Sequence, residues 1–280
     1  MSEEVFQMIK KMNINELKMQ IALQCSPLLA GLKISNLLIT GSDDEDRVRH
    51  LFKNSGIAAQ VIYKDASKVT FLLYRPEELE GYLKRPKVSR LLCWLGYEQI
   101  RLYEVFDLFC SRYKLYRQGK KKFPHEMGLL LGYPVEDVYG FIVNKGKNDL
   151  YTGYWKIYNN LSDTLKLFEQ FNQAKEFMVR QVYLGVNISE LITMKVIKGT
   201  GAGANLFDHA YAHLITPRYE DGLLQAAESP NTLGQDCGSA KRQWRLSSTD
   251  RSGSGDRHRR NVKHEYHRRL RERKARSNRL

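Results

Sequence analysis

The residues with the clearest chemical potential lie in one short run, Phe123-Pro124-His125-Glu126, followed closely by Tyr133 and Asp137. An imidazole beside a carboxylate can act as an acid/base pair, because histidine titrates near neutrality and a carboxylate can orient it. The same two groups can serve as polar anchors in a cleft. They do not suggest a metal site, since His-Glu lacks the second histidine one turn away that a zinc-binding helix supplies. The run also has a structural reading. Gly128 and Gly140 would let backbones pack closely at a corner, with His125 partly buried. A helix-turn-helix for DNA is raised by Lys120-Lys121-Lys122 just ahead. Against it, Glu136 and Asp137 stand where a recognition helix would meet phosphates. If a site exists here, His125 and Glu126 are its expected polar pair.

Cys25 and Lys33 form a second constellation near the start of the chain. A thiol close to a cation and a helix end can be acidified into a nucleophile or ligand. A lone cysteine before Ser-Pro is equally a small buried hydrophobe. Lys33, Tyr133, Asp137 and Trp155 complete the ligand-binding candidates with Cys25. These residue types leave the cofactor, if any, unspecified.

The elements that must position these groups are readable from periodicity. Val5–Leu23 carries apolar residues at helical spacing and reads as one or two helices, which Cys25-Ser26-Pro27 is expected to break. Ser35–Thr40 reads as a short strand. Ser42 with Asp43, Asp44 and Glu45 reads as a capped helix start, ending near Asn54-Ser55-Gly56. Ala59–Tyr63 and Val69–Tyr74 read as a hairpin. Helices are expected from Pro76, over Val88–Leu95 and over Ile100–Tyr116. Pro124 suits a first helical position and Gly132 the left-handed residue that stops that helix. A second short helix then starts at Pro134. Trp155–Tyr158 reads as a fourth strand, and Ser162-Asp163-Thr164 as the cap of a long helix to Tyr183. The expected fold is α/β of the α+β type: three to four short strands covered by helices.

Charge divides the chain. Residues 1–194 hold 27 Lys+Arg and 22 Asp+Glu, residues 195–240 hold 3 and 5, and residues 241–280 hold 15 and 4. The net charge of +14 thus belongs mostly to the last segment. Lysine outnumbers arginine 18 to 9 before position 195, whereas arginine outnumbers lysine 12 to 3 after position 240. Two regions are expected: a globular domain over 1–194 and a disordered basic tail over 195–280 that attracts polyanions without selectivity. No apolar run reaches the roughly 18 residues of a membrane helix. The acidic start does not read as a secretory signal. With no paired cysteine spacing, Cys25, Cys93, Cys110 and Cys237 read as reduced thiols in a cytoplasm.

Three motifs together resemble a known bacterial family, domain of unknown function 3793. They are Cys25-Ser26-Pro27-Leu28-Leu29-Ala30-Gly31-Leu32-Lys33, the run Phe123–Ile142, and Gly153-Tyr154-Trp155-Lys156-Ile157-Tyr158. The family's first signature usually reads Cys-Ala-Pro-Thr-Leu-Ala-Gly-Ile-Lys, so Ser26 and Leu28 depart from it. The resemblance covers about residues 12–185. It implies no established activity. A loose association of the family with flavodoxins implies a redox setting, with a flavodoxin-like protein as the partner.

Beyond position 198 the periodicity fades. Gly199-Thr200-Gly201-Ala202-Gly203-Ala204 imitates a dinucleotide fingerprint, but no βαβ unit follows it. Suitable codons for Gly199–Gly203, read from the third base, encode Tyr-Trp-Ser-Gly, which resembles the opening of many flavodoxins. One expectation is therefore an out-of-frame translation of a downstream flavodoxin-like gene. The other is a nucleic-acid arm over Arg257–Arg279, binding by counterion release. His209 and His213 have helical metal-ligand spacing but no third ligand nearby.

Overall fold

The computed structural model describes residues 1–193. The expectations for the basic tail, the glycine-rich fingerprint, Cys237, His209 and His213 lie outside the described residues. Among those described, ten α-helices and five strands alternate along the chain.

A three-stranded sheet lies between the two larger hydrophobic clusters. Strands β1 (Ser35–Gly41), β2 (Ala58–Lys64) and β3 (Lys68–Tyr74) pair antiparallel in the order β1-β3-β2. The hairpin expected at Lys64–Ser67 joins β2 to β3. Its turn is locked by Asp65, whose carboxylate accepts the backbone N–H groups of Ser67 and Lys68. β3 lies centrally and buries Val69–Leu73. Successive side chains leave a strand on opposite faces. Val69, Phe71 and Leu73 accordingly enter one core while Leu72 enters another.

Helices cover both faces. Helices α1 (Glu3–Lys10), α2 (Leu17–Leu29), α9 (Leu161–Tyr183) and α10 (Ile188–Thr193) supply the first core, with α3 (Glu45–Phe52) at its edge. Helices α4 (Pro76–Leu83), α5 (Pro86–Trp94), α6 (Leu102–Arg117), α7 (Met127–Leu130) and α8 (Val135–Val143) supply the second. A third cluster forms under a two-residue hairpin, β4 (Tyr151–Thr152) with β5 (Lys156–Ile157), and the N-terminal half of α9. The fold is thus α+β, with a small antiparallel sheet between helical layers. No helix among the described residues is long and apolar enough to cross a membrane.

Four local expectations are corrected. Pro27 does not break α2, which continues to Leu29. Pro27 forfeits its own donor and crowds the carbonyl four residues before it, but Cys25, Ser26, Leu28 and Leu29 are all buried against the core. Tertiary burial outweighs that loss. Pro124 does not open a helix, because α7 is a single turn with Glu126 at its N-cap. The stretch at Trp155–Tyr158 is a two-residue strand in a separate sheet rather than a fourth strand of the main one. Neither Ser42 nor Ser162 caps a helix: Ser42 begins a short 3-10 turn, and Asn160 precedes α9 in the left-handed region.

Candidate functional site

Two helix ends place two of the candidate residues. α2 stops at Gly31, whose φ is +70°, and the N–H groups of Gly31 and Leu32 return to the carbonyls of Leu28 and Pro27. α7 stops in the same way at Gly132, φ +68°, with Gly132 and Tyr133 returning to Leu129 and Gly128. These paired bonds satisfy carbonyls that a helix end leaves open, and they turn the chain sharply. The first turn delivers Lys33 and the second delivers Tyr133. A side chain at Gly132 would put its Cβ 2.6 Å from Ile34, so the two turns can meet only because that position is glycine.

Their meeting forms a ladder of side chains. The Lys33 ammonium lies over the Tyr133 ring at 5.1 Å. The Tyr133 ring stacks on Trp155 at 4.6 Å with 25° between planes. The Trp155 indole donates to Asp137 Oδ2 at 2.8 Å. Asp137 Oδ1 accepts the backbone N–H groups of Tyr158 and Asn159 at 2.7 and 2.9 Å. Asp137 is buried, and that burial pushes its carboxyl above the usual carboxylate range, with the three hydrogen bonds opposing. It is a clamp that fixes β5 to α8 and holds the indole against Tyr133.

Lys33 is the open end of this ladder. Its ammonium donates to Asn36 Oδ1 at 2.9 Å and has no carboxylate within ion-pairing distance among the described residues. Desolvation lowers it to about 7, so the amine exchanges its proton near neutrality. Cys25, at the same end, is wholly buried and its thiol lies 3.8 Å from the Leu37 carbonyl. Burial pushes that thiol up to about 12, with the Lys33 charge opposing less strongly. The structure therefore favours the buried-hydrophobe reading of Cys25 over the acidified thiol.

His125 and Glu126 turn to different partners. Glu126 is 3% exposed and its Oε1 accepts from Arg112 Nη1 at 2.8 Å and from the Tyr97 hydroxyl at 2.9 Å. The Arg112 guanidinium also covers the Tyr97 ring at 4.8 Å. Burial and the neighbouring Glu126 charge raise the Tyr97 hydroxyl well above its ordinary value. His125 is half-buried between the rings of Phe123 and Phe141, at 6.0 and 5.4 Å. Its burial lowers the imidazole below its ordinary value, with the Glu126 charge opposing. The close approach expected of two glycines is present: a Cβ would lie 2.8 Å from Val138 at Gly128 and 2.6 Å from Tyr158 at Gly140.

Residues 21–192 match the family described as protein of unknown function (DUF3793). The chain belongs to that family. No curated protein and no solved structure matches it. Within the DUF3793 domain the three signature motifs converge, since Lys33 comes from the first, Tyr133 and Asp137 from the second, and Trp155 from the third. Arg112, Tyr97 and Asn36 went unnoticed in the sequence. Arg112 carried a signal, because it falls among Val105, Phe109 and Tyr113 on the buried side of α6. A long cation on such a face has a partner inside. The DUF3793 domain also has a groove of about 530 Å³, lined by Phe52, Ile57, Arg75, Glu77 and neighbours, to which none of the candidates contributes. No three His, Cys, Asp or Glu side chains among the described residues are placed to hold a metal ion.

Proposed function

We propose that the domain binds a small anionic molecule at Lys33, with the Tyr133–Trp155 stack and the Asp137 clamp holding the cation in place. The observation that carries this reading is the missing counter-ion. Arg112 pairs with Glu126, Lys87 with Glu136 and Lys156 with Asp149, whereas Lys33, like Lys175 over the Tyr154 ring, has no carboxylate within ion-pairing distance among the described residues. Lys33 has an amide oxygen and a ring face, which orient an ammonium without neutralising it. Small-molecule sites use few polar groups set in apolar surroundings, and a perturbed ionisable group marks where to look.

The setting we propose is a reducing cytoplasm, in which Cys25, Cys93 and Cys110 stay free thiols. The family's loose association with flavodoxins makes a phosphorylated flavin the first probe. Thermal unfolding of the full chain with flavin mononucleotide, and with inorganic phosphate as the minimal anion, tests the reading. At a concentration on the order of 100 times Kd, a ligand of the native state stabilises by about 2.7 kcal/mol. A clear rise in Tm is expected in the parent and its loss in Lys33→Met. Equal response of both proteins, or of neither, rejects Lys33 as the anion site.

A further inference from the structure

A second surface, away from Lys33, combines exposed rings with unpaired cations. Tyr116, near the end of α6, and Phe123 are 37% and 38% exposed, and their rings meet edge to face at 5.2 Å. They continue a run of rings. Tyr113 lies 5.9 Å from Tyr116, Tyr63 lies 6.1 Å from Tyr113, and His125 lies 6.0 Å from Phe123. Arg117 covers the Tyr63 ring at 4.6 Å and pairs with Asp65 at 3.4 Å. Lys114, Lys120, Lys121 and Lys122 are all exposed and have no acidic partner among the described residues. They flank the two outward rings in sequence, one before Tyr116 and three just before Phe123.

We propose that this surface binds single-stranded nucleic acid, with Tyr116 and Phe123 stacking on bases and the four lysines meeting phosphates. Cations alone would serve any polyanion, and rings alone would serve an apolar partner. Their interleaving is what a strand of alternating phosphates and flat bases requires. An acidic peptide offers carboxylates but no repeated ring faces. A duplex buries its bases in a stack that such rings cannot enter without unstacking it. Tyr116 and Phe123 are held by ring contacts beneath them, so stacking on a base costs little further side-chain ordering.

The basic segment at 241–280 would attract polyanions by charge alone, so the test must separate rings from charge. The full chain is titrated by fluorescence anisotropy with a labelled oligothymidylate of roughly 20 nucleotides, and separately with polyphosphate and poly-glutamate. The parent is expected to prefer the oligothymidylate. Replacing both rings (Tyr116→Ala with Phe123→Ala) is expected to weaken oligothymidylate binding roughly tenfold or more while leaving polyphosphate unchanged. The conservative pair Tyr116→Phe with Phe123→Tyr should retain the parent's affinity, and a cooperative urea transition in the alanine pair excludes a folding defect. Replacing Lys120, Lys121 and Lys122 by Ser should reduce the salt slope of log K by up to about 0.7 for each lost phosphate contact. Equal affinity for oligothymidylate and polyphosphate, ring variants that bind like the parent, or full competition by poly-glutamate would each overturn the proposal.

Discussion

Two charged groups lie beside residues of the second core, Glu126 next to Met127 and Lys33 over Tyr133, and the protein treats them differently. Glu126 is sunk among Met127, Leu129 and Leu130 yet receives Arg112 and Tyr97, so its charge is answered twice. Lys33 emerges beside an equally apolar ladder and receives an amide oxygen and the face of a ring. A buried charge is tolerated when paired and hydrogen-bonded, and paired charges of this kind hold architecture together. A desolvated charge left without a counter-ion costs stability, and a ligand that supplies one would recover it. Glu126 is thus tied into the fold, whereas Lys33 has no carboxylate partner among the described residues.

The comparison breaks most visibly at Arg112. Arg112→Ala leaves Glu126 buried without its cation, which is expected to cost about 3–5 kcal/mol. Urea denaturation of the full chain would show it as a lower midpoint at unchanged slope. Removing both charges, Arg112→Ala with Glu126→Leu, should recover part of that loss, because no orphaned charge remains. A double variant as unstable as the single one would mean that Arg112 acts through its packing on Tyr97 rather than through Glu126.

Asp137→Asn tests the clamp and should cost less, about 1–3 kcal/mol. An amide can still accept from Tyr158 and Asn159, but its N–H₂ then opposes the indole N–H of Trp155. The indole should loosen from Asp137, and with it the stack on Tyr133. A red-shifted Trp155 emission, read against a Trp155→Phe control, checks this. An unchanged spectrum with an unchanged denaturation midpoint would show that the clamp does not hold the ladder.

Much of this arrangement was legible beforehand, and the exceptions share a cause. The strands, the hairpin and the stop at Gly132 follow from local rules that the folded protein obeys. Pro27 misleads because proline is a local signal, whereas its neighbours are buried largely by α9, more than 130 residues along the chain. The true end of α2 was written four residues later, in Gly31, by the same rule that was applied to Gly132. The candidate site shows a similar division. Cys25, Lys33, Tyr133, Asp137 and Trp155 were named from their motifs, but only the two helix stops reveal that Lys33 reaches Tyr133. The adjacency of His125 and Glu126 misdirected attention, because consecutive residues at a helix start point to different neighbours. Glu126 found its partners 14 and 29 residues away.

The smallest effect in any single pH unit, and the most discriminating, concerns Lys33. Its folded-state value of about 7 lies below the ordinary lysine value of 10.5. Between these values the unfolded chain still holds a proton that the folded chain has released. Stability therefore rises with pH across that window, by no more than about 1.4 kcal/mol per unit for one proton. Below about pH 7 both states hold the proton, and the contribution levels off at its least favourable. Lys175 is also lowered by burial and slopes the same way, so the parent curve alone does not isolate Lys33. The difference between parent and Lys33→Met does. It should widen in favour of the variant as pH falls from 10 to 7 and stay constant below. A flat difference would mean that Lys33 is solvated enough to keep its ordinary proton, and the contrast with Glu126 would vanish. A bound anion favours the ammonium, so if one binds at Lys33, saturating flavin mononucleotide or phosphate should raise the pH at which that difference levels off and reduce its total size.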